Sequence, residues 1–154
     1  MPIHILLADD DKDDCLLFKE VLEEMPIPTH FIAVHDGEEL MQLLVNNKEQ
    51  LPHILFLDLN IPRKNGFECL MEIKLNKELK KLHVVIFTTS FEQGTVNLLY
   101  NKGAHYYIRK PAEFLQLKNA VLKVLALIEK NSLIDPAGTV QQPSRANFVL
   151  SGDL

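Results

Sequence analysis

The sequence predicts an α/β fold: a three-layer α/β/α sandwich with helices on both faces of a doubly wound, five-stranded parallel sheet. Three observations predict it. Short apolar runs recur five times, and each is followed by a stretch of helical periodicity. The segments between successive runs are long enough to hold a helix, which forces parallel strands joined by right-handed crossovers. The third run, Ile54-Leu55-Phe56-Leu57, is apolar at every position, as suits a strand buried on both faces.

The elements follow in order. Ile3 to Ala8 is short and apolar, a first strand. Asp9-Asp10-Asp11 and Lys12-Asp13-Asp14 come directly after it, and then Leu16, Leu17, Val21, Leu22 and Met25 fall at helical spacing. Acidic residues at a helix start suit the positive end of its dipole. Pro26 and Pro28 stop this helix. Residues 31–34 form a second strand, closed by Asp36-Gly37, and Leu40, Leu43 and Leu44 mark a second helix with a polar exit over 46–50. The central strand at 54–58 runs into Asp58 and then a turn ending in Asn65-Gly66. A third helix carries Phe67, Leu70, Met71 and Leu75. Residues 84–87 are β-branched and apolar, a fourth strand ending at Thr88-Thr89-Ser90. A fourth helix spans roughly 91–102, with Val96, Leu99 and Tyr100 inward and Gly103 as its left-handed terminator. Tyr106-Tyr107-Ile108 is the fifth strand, followed by Arg109-Lys110-Pro111. In the fifth helix Leu117, Val121, Val124, Leu125 and Ile128 form one stripe, with Lys118, Lys123 and Lys130 off it. The folded domain is expected over 1–130, and 131–154, with Pro136, Gly138, Pro143 and Gly152, as an extended or disordered tail. The other reading of the tail is a docking arm, in which Phe148-Val149-Leu150 covers a groove or adds to a sheet edge of this or a partner chain.

Composition narrows the class. The chain has 154 residues, enough for one domain with a sizeable core, and its 47% apolar and 24% charged content is that of an ordinary globular protein. The net charge of −5, without any lysine or arginine block, speaks against a nucleic-acid partner. Cys15 and Cys69 lack metal-ligand spacing and fall in helical patterns, so we expect reduced, buried thiols. The histidines His4, His30, His35, His53, His83 and His105 are scattered, with no pair at helix-face spacing for zinc. There is no basic leader before the first strand and no apolar run of membrane-spanning length. The expectation is therefore a cytoplasmic protein without a membrane partner.

Chemistry gathers at the strand ends, which a parallel sheet brings to one side. The first strand delivers Asp9 and Asp10, the third Asp58, the fourth Thr88 and the fifth Lys110. Each has a plainer reading alone. Asp58 could cap a helix, Asp9 to Asp14 could be a solvated loop, Thr88 and Tyr107 could be sheet packing, and Lys110-Pro111 could be a strand exit. Their joint placement is what argues for a site. Three carboxylates together repel unless a cation neutralises them, and an oxygen-only donor set suits Mg2+. A hydroxyl and an ammonium beside them suit phosphoryl oxygens. That combination describes phosphoryl transfer to an aspartate.

The chain resembles a response-regulator receiver domain of two-component signalling, of the CheY-like, stand-alone kind. The resemblance rests on Leu7-Ala8-Asp9-Asp10-Asp11, Leu57-Asp58-Leu59-Asn60-Ile61-Pro62 with Gly66, Phe87-Thr88-Thr89-Ser90, and Tyr107-Ile108-Arg109-Lys110-Pro111, and it covers about residues 3–130. It implies the flavodoxin-like and CheY-like strand order 2-1-3-4-5. It implies that Asp58 is the phosphoacceptor, that Asp9, Asp10, Asp58 and the carbonyl of Asn60 bind Mg2+, and that Lys110 pairs with Asp58. It implies a switch made of Thr88 and Tyr107 that couples the site to the face of helix four, strand five and helix five. Asp9 and Asp10 are taken as the acidic pair because they come first after the apolar strand, although Asp11 follows directly. Asn60 and Ser90 occupy the positions that tune phosphoryl lifetime. Ile61 and His83 depart from the commoner methionine and proline without touching the chemistry.

The implied partners are a sensor histidine kinase or phosphotransfer protein and a downstream protein; a homodimer is a further option, through the same face or with the tail contributing instead, and the sequence does not fix the oligomeric state. Such a chain is a switch or relay and not an enzyme. The alternative is a phosphorylation-independent pseudo-receiver that only binds protein, whose usual mark is loss of the acidic pair, the acceptor or the lysine. A haloacid-dehalogenase-type phosphatase would need an acid where Asn60 stands. A flavodoxin-like electron carrier would need a phosphate-cradling loop where the acidic run 9–14 stands.

Overall fold

The computed structural model describes residues 2–134 and 142–153. Strands β1 (Ile3–Ala8), β2 (Thr29–Val34), β3 (Ile54–Leu57), β4 (His83–Thr88) and β5 (Tyr106–Arg109) alternate with helices α1 (Lys12–Glu23), α2 (Gly37–Asn46), α3 (Gly66–Leu75), α4 (Gln93–Asn101) and α5 (Phe114–Ile134). All neighbouring strands are parallel, in the predicted order β2-β1-β3-β4-β5. The central strand β3 is buried at all four positions, whereas β2 at the edge alternates between covered and exposed residues. Alternate residues of each strand feed two cores. Leu6, Leu55, Leu57, Val84 and Ile86 pack with α2, α3 and α4. Ile5, Phe56, Val85, Phe87 and Ile108 pack with α1 and α5, around Phe18 of α1 in edge-on contact with Phe56 and Phe87. Among the described residues no helix is long and apolar enough to cross a membrane. Cys15 and Cys69 are free and buried, and burial pushes their thiols up to about 11 and about 12.

The C-terminal region differs from the expected tail in two ways. First, α5 continues past residue 130 to Ile134, because no glycine or proline interrupts it before Pro136. Second, after a short 3₁₀ turn at Arg145–Asn147, β6 (Val149–Leu150) pairs parallel to β5, so the sheet has six strands instead of five. The driving force is Phe148, only 1% exposed and part of the core beside α4. Residues 142–153 are thus a docked arm on this chain's own sheet edge; residues 135–141 lie outside the described part.

The end of the sheet opposite Asp58 carries a row of histidines that their sequence spacing does not reveal. His30 of β2 pairs in register with His4 of β1, and the backbone N–H of His4 donates to His53 Nδ1. His83 starts β4, and His105, just before β5, accepts the Val84 N–H on Nδ1 at 3.0 Å. His105 is 2% exposed, and burial, with Lys74 and His83 adding repulsion, lowers its pKa to about 2. The unfolded imidazole takes a proton near its ordinary value while the folded one refuses it. Its contribution to stability is therefore complete above about pH 6.5 and is lost as the pH falls toward about 2. Unfolding in urea at pH 5 should show about 2 kcal/mol less stability from this group than at pH 7.5. His105→Asn keeps an acceptor for Val84 without a titrating ring and should shrink that difference; an unchanged pH dependence would exclude His105 as its source.

Candidate functional site

The mouth above the strand ends is built from backbone anchors inward. At the end of β1 the Asp9 N–H donates to the Val34 carbonyl of β2, and the Asp9 carbonyl accepts from His35 Nδ1 at 3.1 Å. The Asp58 N–H donates to the Ala8 carbonyl, which sets the two strand ends side by side. Asp11, the third of the acidic run, caps α1 by accepting from the N–H groups of Asp13 and Asp14. One oxygen from each of Asp9, Asp10 and Asp58 lies within 4.8 Å of the other two, and among the described residues this is the one group of His, Cys, Asp or Glu side chains close enough to share a metal ion.

Lys110 leaves the end of β5 and reaches three carboxylates. Its Nζ lies 2.7 Å from Asp9, 2.9 Å from Asp14 and 2.9 Å from Asp58. Its ammonium also sits 5.5 Å over the Phe87 ring. Burial works against its charge, but the bonds to Asp9, Asp14 and Asp58 outweigh it and hold Lys110 above the ordinary lysine range. Asp9 is fully buried, and that burial raises its carboxyl despite the ammonium beside it. Asp14 was not singled out by sequence reasoning. Only the phase of α1 turns it toward Lys110, and nothing local distinguishes it from Asp13.

Asp58 has one oxygen on Lys110, and the other accepts the Asn60 N–H at 3.1 Å, so the residue holds its own turn. Asn60 faces Ser90 across the mouth at 3.5 Å. Leu57 pairs with Ile86, so Thr88 stands one step further up β4 than Asp58 does on β3. Its hydroxyl is buried and has no hydrogen-bond partner among the described residues. Tyr107 of β5 is fully buried, and its hydroxyl donates to the Ser90 carbonyl.

Glycines set the close approaches. A Cβ on Gly66 would lie 2.3 Å from the Asp58 carbonyl oxygen, and one on Gly37 would lie 1.8 Å from that of Lys64. The loop between β3 and α3 turns through Arg63, whose φ of 68° is left-handed. Its guanidinium pairs with Asp36 and Glu38 at the start of α2. Sequence reasoning missed this tether as well.

A family model described as the response regulator receiver domain matches residues 5–122. The chain belongs to the response-regulator receiver family. Response regulator Rcp1 of Synechocystis sp. is 38% identical to this receiver over 113 residues, covering 71% of this chain and 77% of that one. The crystal structure of Mn(2+)-bound Rcp1 superposes with a TM-score of 0.68 at 31% identity, over 93% of this chain and all of that one. The phosphorylated cyanobacterial phytochrome response regulator RcpA superposes with a TM-score of 0.69 at 29% identity, over 94% of this chain and all of that one. This receiver domain is thus a signalling module of the two-component type, and its sequence-derived site residues gather at the carboxyl ends of β1, β3, β4 and β5.

Proposed function

We propose that this receiver takes a phosphoryl group on Asp58 from a phosphohistidine of a sensor kinase or phosphotransfer protein and passes the change to the face of α4, β5 and α5. The observation that carries this reading is Lys110 Nζ in ion pairs with Asp58, Asp9 and Asp14 at once, with the buried Thr88 hydroxyl of β4 left without a hydrogen-bond partner among the described residues. A carboxylate oxygen of Asp58 attacks phosphorus, an acyl O–P bond forms, and the N–P bond to the donor imidazole breaks. The released imidazole nitrogen takes up a proton. Lys110 bonds a phosphoryl oxygen in place of a carboxylate oxygen, and the Thr88 hydroxyl donates to another. With Thr88 drawn toward the phosphoryl group, Tyr107 gives up its bond to Ser90, and the population shifts toward a second arrangement of that face.

The oxygen-only donor set fits a hard divalent cation, and Asp9, Asp10, Asp58 and the Asn60 carbonyl are the residues that would hold Mg2+. When bound, the ion supplies positive charge against the carboxylates and the incoming oxygens. The likeness to a phytochrome response regulator supports a sensor kinase, including one of phytochrome type, as the donor.

Intact-protein mass after incubation with Mg2+ and acetyl phosphate tests this. One phosphoryl group should appear on the wild type, none on Asp58→Asn, and none on the wild type when magnesium is chelated. No adduct on the wild type, beside a working control receiver, would favour phosphorylation-independent protein binding. Thr88→Ala should cost less than about 1 kcal/mol of stability, since its hydroxyl holds no protein partner. The same variant should take up phosphoryl about tenfold more slowly. An unchanged rate in the same mass assay would remove Thr88 from the chemistry.

A further inference from the structure

We propose that Asp14 is a positioning residue that weakens the site's hold on a phosphoryl group, an inference that rests on Asp58 as the phosphoacceptor. Its carboxylate holds Lys110 from the rim and sets a negative charge beside the place the phosphoryl group takes. The group on Asp58 is thereby kept ready to pass to a second imidazole. In that step the O–P bond of Asp58 breaks, an N–P bond forms, and the imidazole nitrogen releases its proton.

Helix α1 carries Asp14 to the mouth. Asp14 lies one turn before Phe18, on the face that packs against Phe56 of β3 and Phe87 of β4. Its neighbour Asp13 is exposed, and both donate their backbone N–H groups to the Asp11 cap. Among the described residues the Asp14 carboxylate pairs with no cation but Lys110, at 2.9 Å. Its side chain is 36% exposed, which makes it the rim member of the group.

The three carboxylates around Lys110 differ in what else they can do. Asp9 and Asp58 stand close enough to Asp10 to share a metal ion, whereas Asp14 is outside that cluster. An ammonium has three N–H groups, and Lys110 directs them at Asp9, Asp14 and Asp58. An arriving phosphoryl oxygen takes the place of the Asp58 oxygen, and the Asp14 bond stays. The Asp14 and Asp58 oxygens each lie 2.9 Å from the same nitrogen, so they stand no farther apart than twice that. At such a separation in a partly buried site, repulsion between Asp14 and the phosphoryl oxygens is large enough for about a tenfold change in affinity.

The experiment measures two affinities of the full chain: beryllofluoride, a phosphoryl mimic, by fluorine NMR at saturating Mg2+, and Mg2+ alone by titration calorimetry. Asp14→Asn keeps an oxygen for Lys110 and removes the charge. Asp13→Asn removes the same charge from the same turn away from Lys110. Asp14→Asn should bind beryllofluoride about tenfold more tightly than wild type and Mg2+ about threefold more weakly, because lost negative charge favours an anion and disfavours a cation. A merely structural role would weaken both together. Asp13→Asn should stay within about twofold of wild type for both ligands, since its charge is exposed and screened. Asp14→Glu returns the charge and should bring beryllofluoride back to within about threefold of wild type. Unchanged or weaker beryllofluoride binding by Asp14→Asn would overturn the inference and leave the phosphoacceptor reading in place, as would an equal gain in Asp13→Asn. Failure of every chain to bind beryllofluoride would remove the phosphoacceptor reading and this inference with it.

Discussion

Replacing Lys110 with alanine should lower the unfolding free energy by about 3–5 kcal/mol in metal-free buffer, the cost of removing one partner from a buried charge group. The lysine side chain is 9% exposed and stands against Asp9 at 0% and Asp58 at 7%. Without it, three carboxylates face one another with no cation between them. The deficit should depend on pH in a definite direction. Burial already raises Asp9, and the loss of the ammonium raises it further. A carboxyl whose folded pKa lies above its unfolded value binds protons preferentially in the folded state, so the variant regains stability as the pH falls through that raised value. Mg2+ should raise the unfolding free energy of the variant more than that of the wild type, because the ion would take over the neutralising role. Urea unfolding at pH 7.5 and pH 5 with and without Mg2+ measures all three effects. A loss below about 1 kcal/mol at neutral pH would mean that the carboxylates are solvated and the lysine is not their counter-charge.

Gly66→Ala should be the second large effect. The added methyl would stand 2.3 Å from the Asp58 carbonyl oxygen and 2.8 Å from Leu59 Cα, both backbone atoms that cannot swing aside. The first turn of α3 must then back away from β3, and the bond from the Gly66 N–H to the Leu59 carbonyl stretches. Overpacking of this kind costs about 3 kcal/mol. The displacement also reaches Asp58 itself, and a shift of about 1 Å at a reacting group is enough for about a hundredfold loss in rate. Phosphoryl uptake should fall accordingly while the fold survives. Gly94→Ala is the matched control: a Cβ there meets nothing within 4 Å, and the residue lies in α4. It should be neutral or stabilising by up to about 1 kcal/mol. Equal behaviour of the two variants would show that close approach at Gly66 does not position Asp58.

Much of the domain was legible because its signals are local. The five strands, five helices and the parallel direction of the strands follow from apolar runs, helical stripes and turn residues that sit within short windows, whereas the order of the strands came with the family resemblance. The gathering of Asp9, Asp10, Asp58, Thr88 and Lys110 follows from topology alone, since a parallel sheet sends every strand's carboxyl end to one side. Asp9 and Asp10 were set ahead of Asp11 because they come first after the apolar strand, and the fold adds that Asp11 caps α1.

Other features were decided by the packed chain. Asp14 joins Lys110 while Asp13 does not, because the phase of α1 against β5 is fixed by how Phe18 seats among Phe56 and Phe87. The arm belongs to the sheet because one aromatic side chain finds a hole between Tyr100 and Tyr107, a volume that no window of sequence contains. His4, His30, His53, His83 and His105 look scattered along the chain and line one sheet end only after five strands are placed in register. The sequence by itself determined the elements, the parallel direction of the strands and the acidic mouth, since each rests on hydrophobic period and strand direction. Only the tertiary structure decided which carboxylates share the lysine, where the arm lies and which glycines must stay glycine. Those depend on distances between backbones far apart in the chain, set by the volumes packed between them.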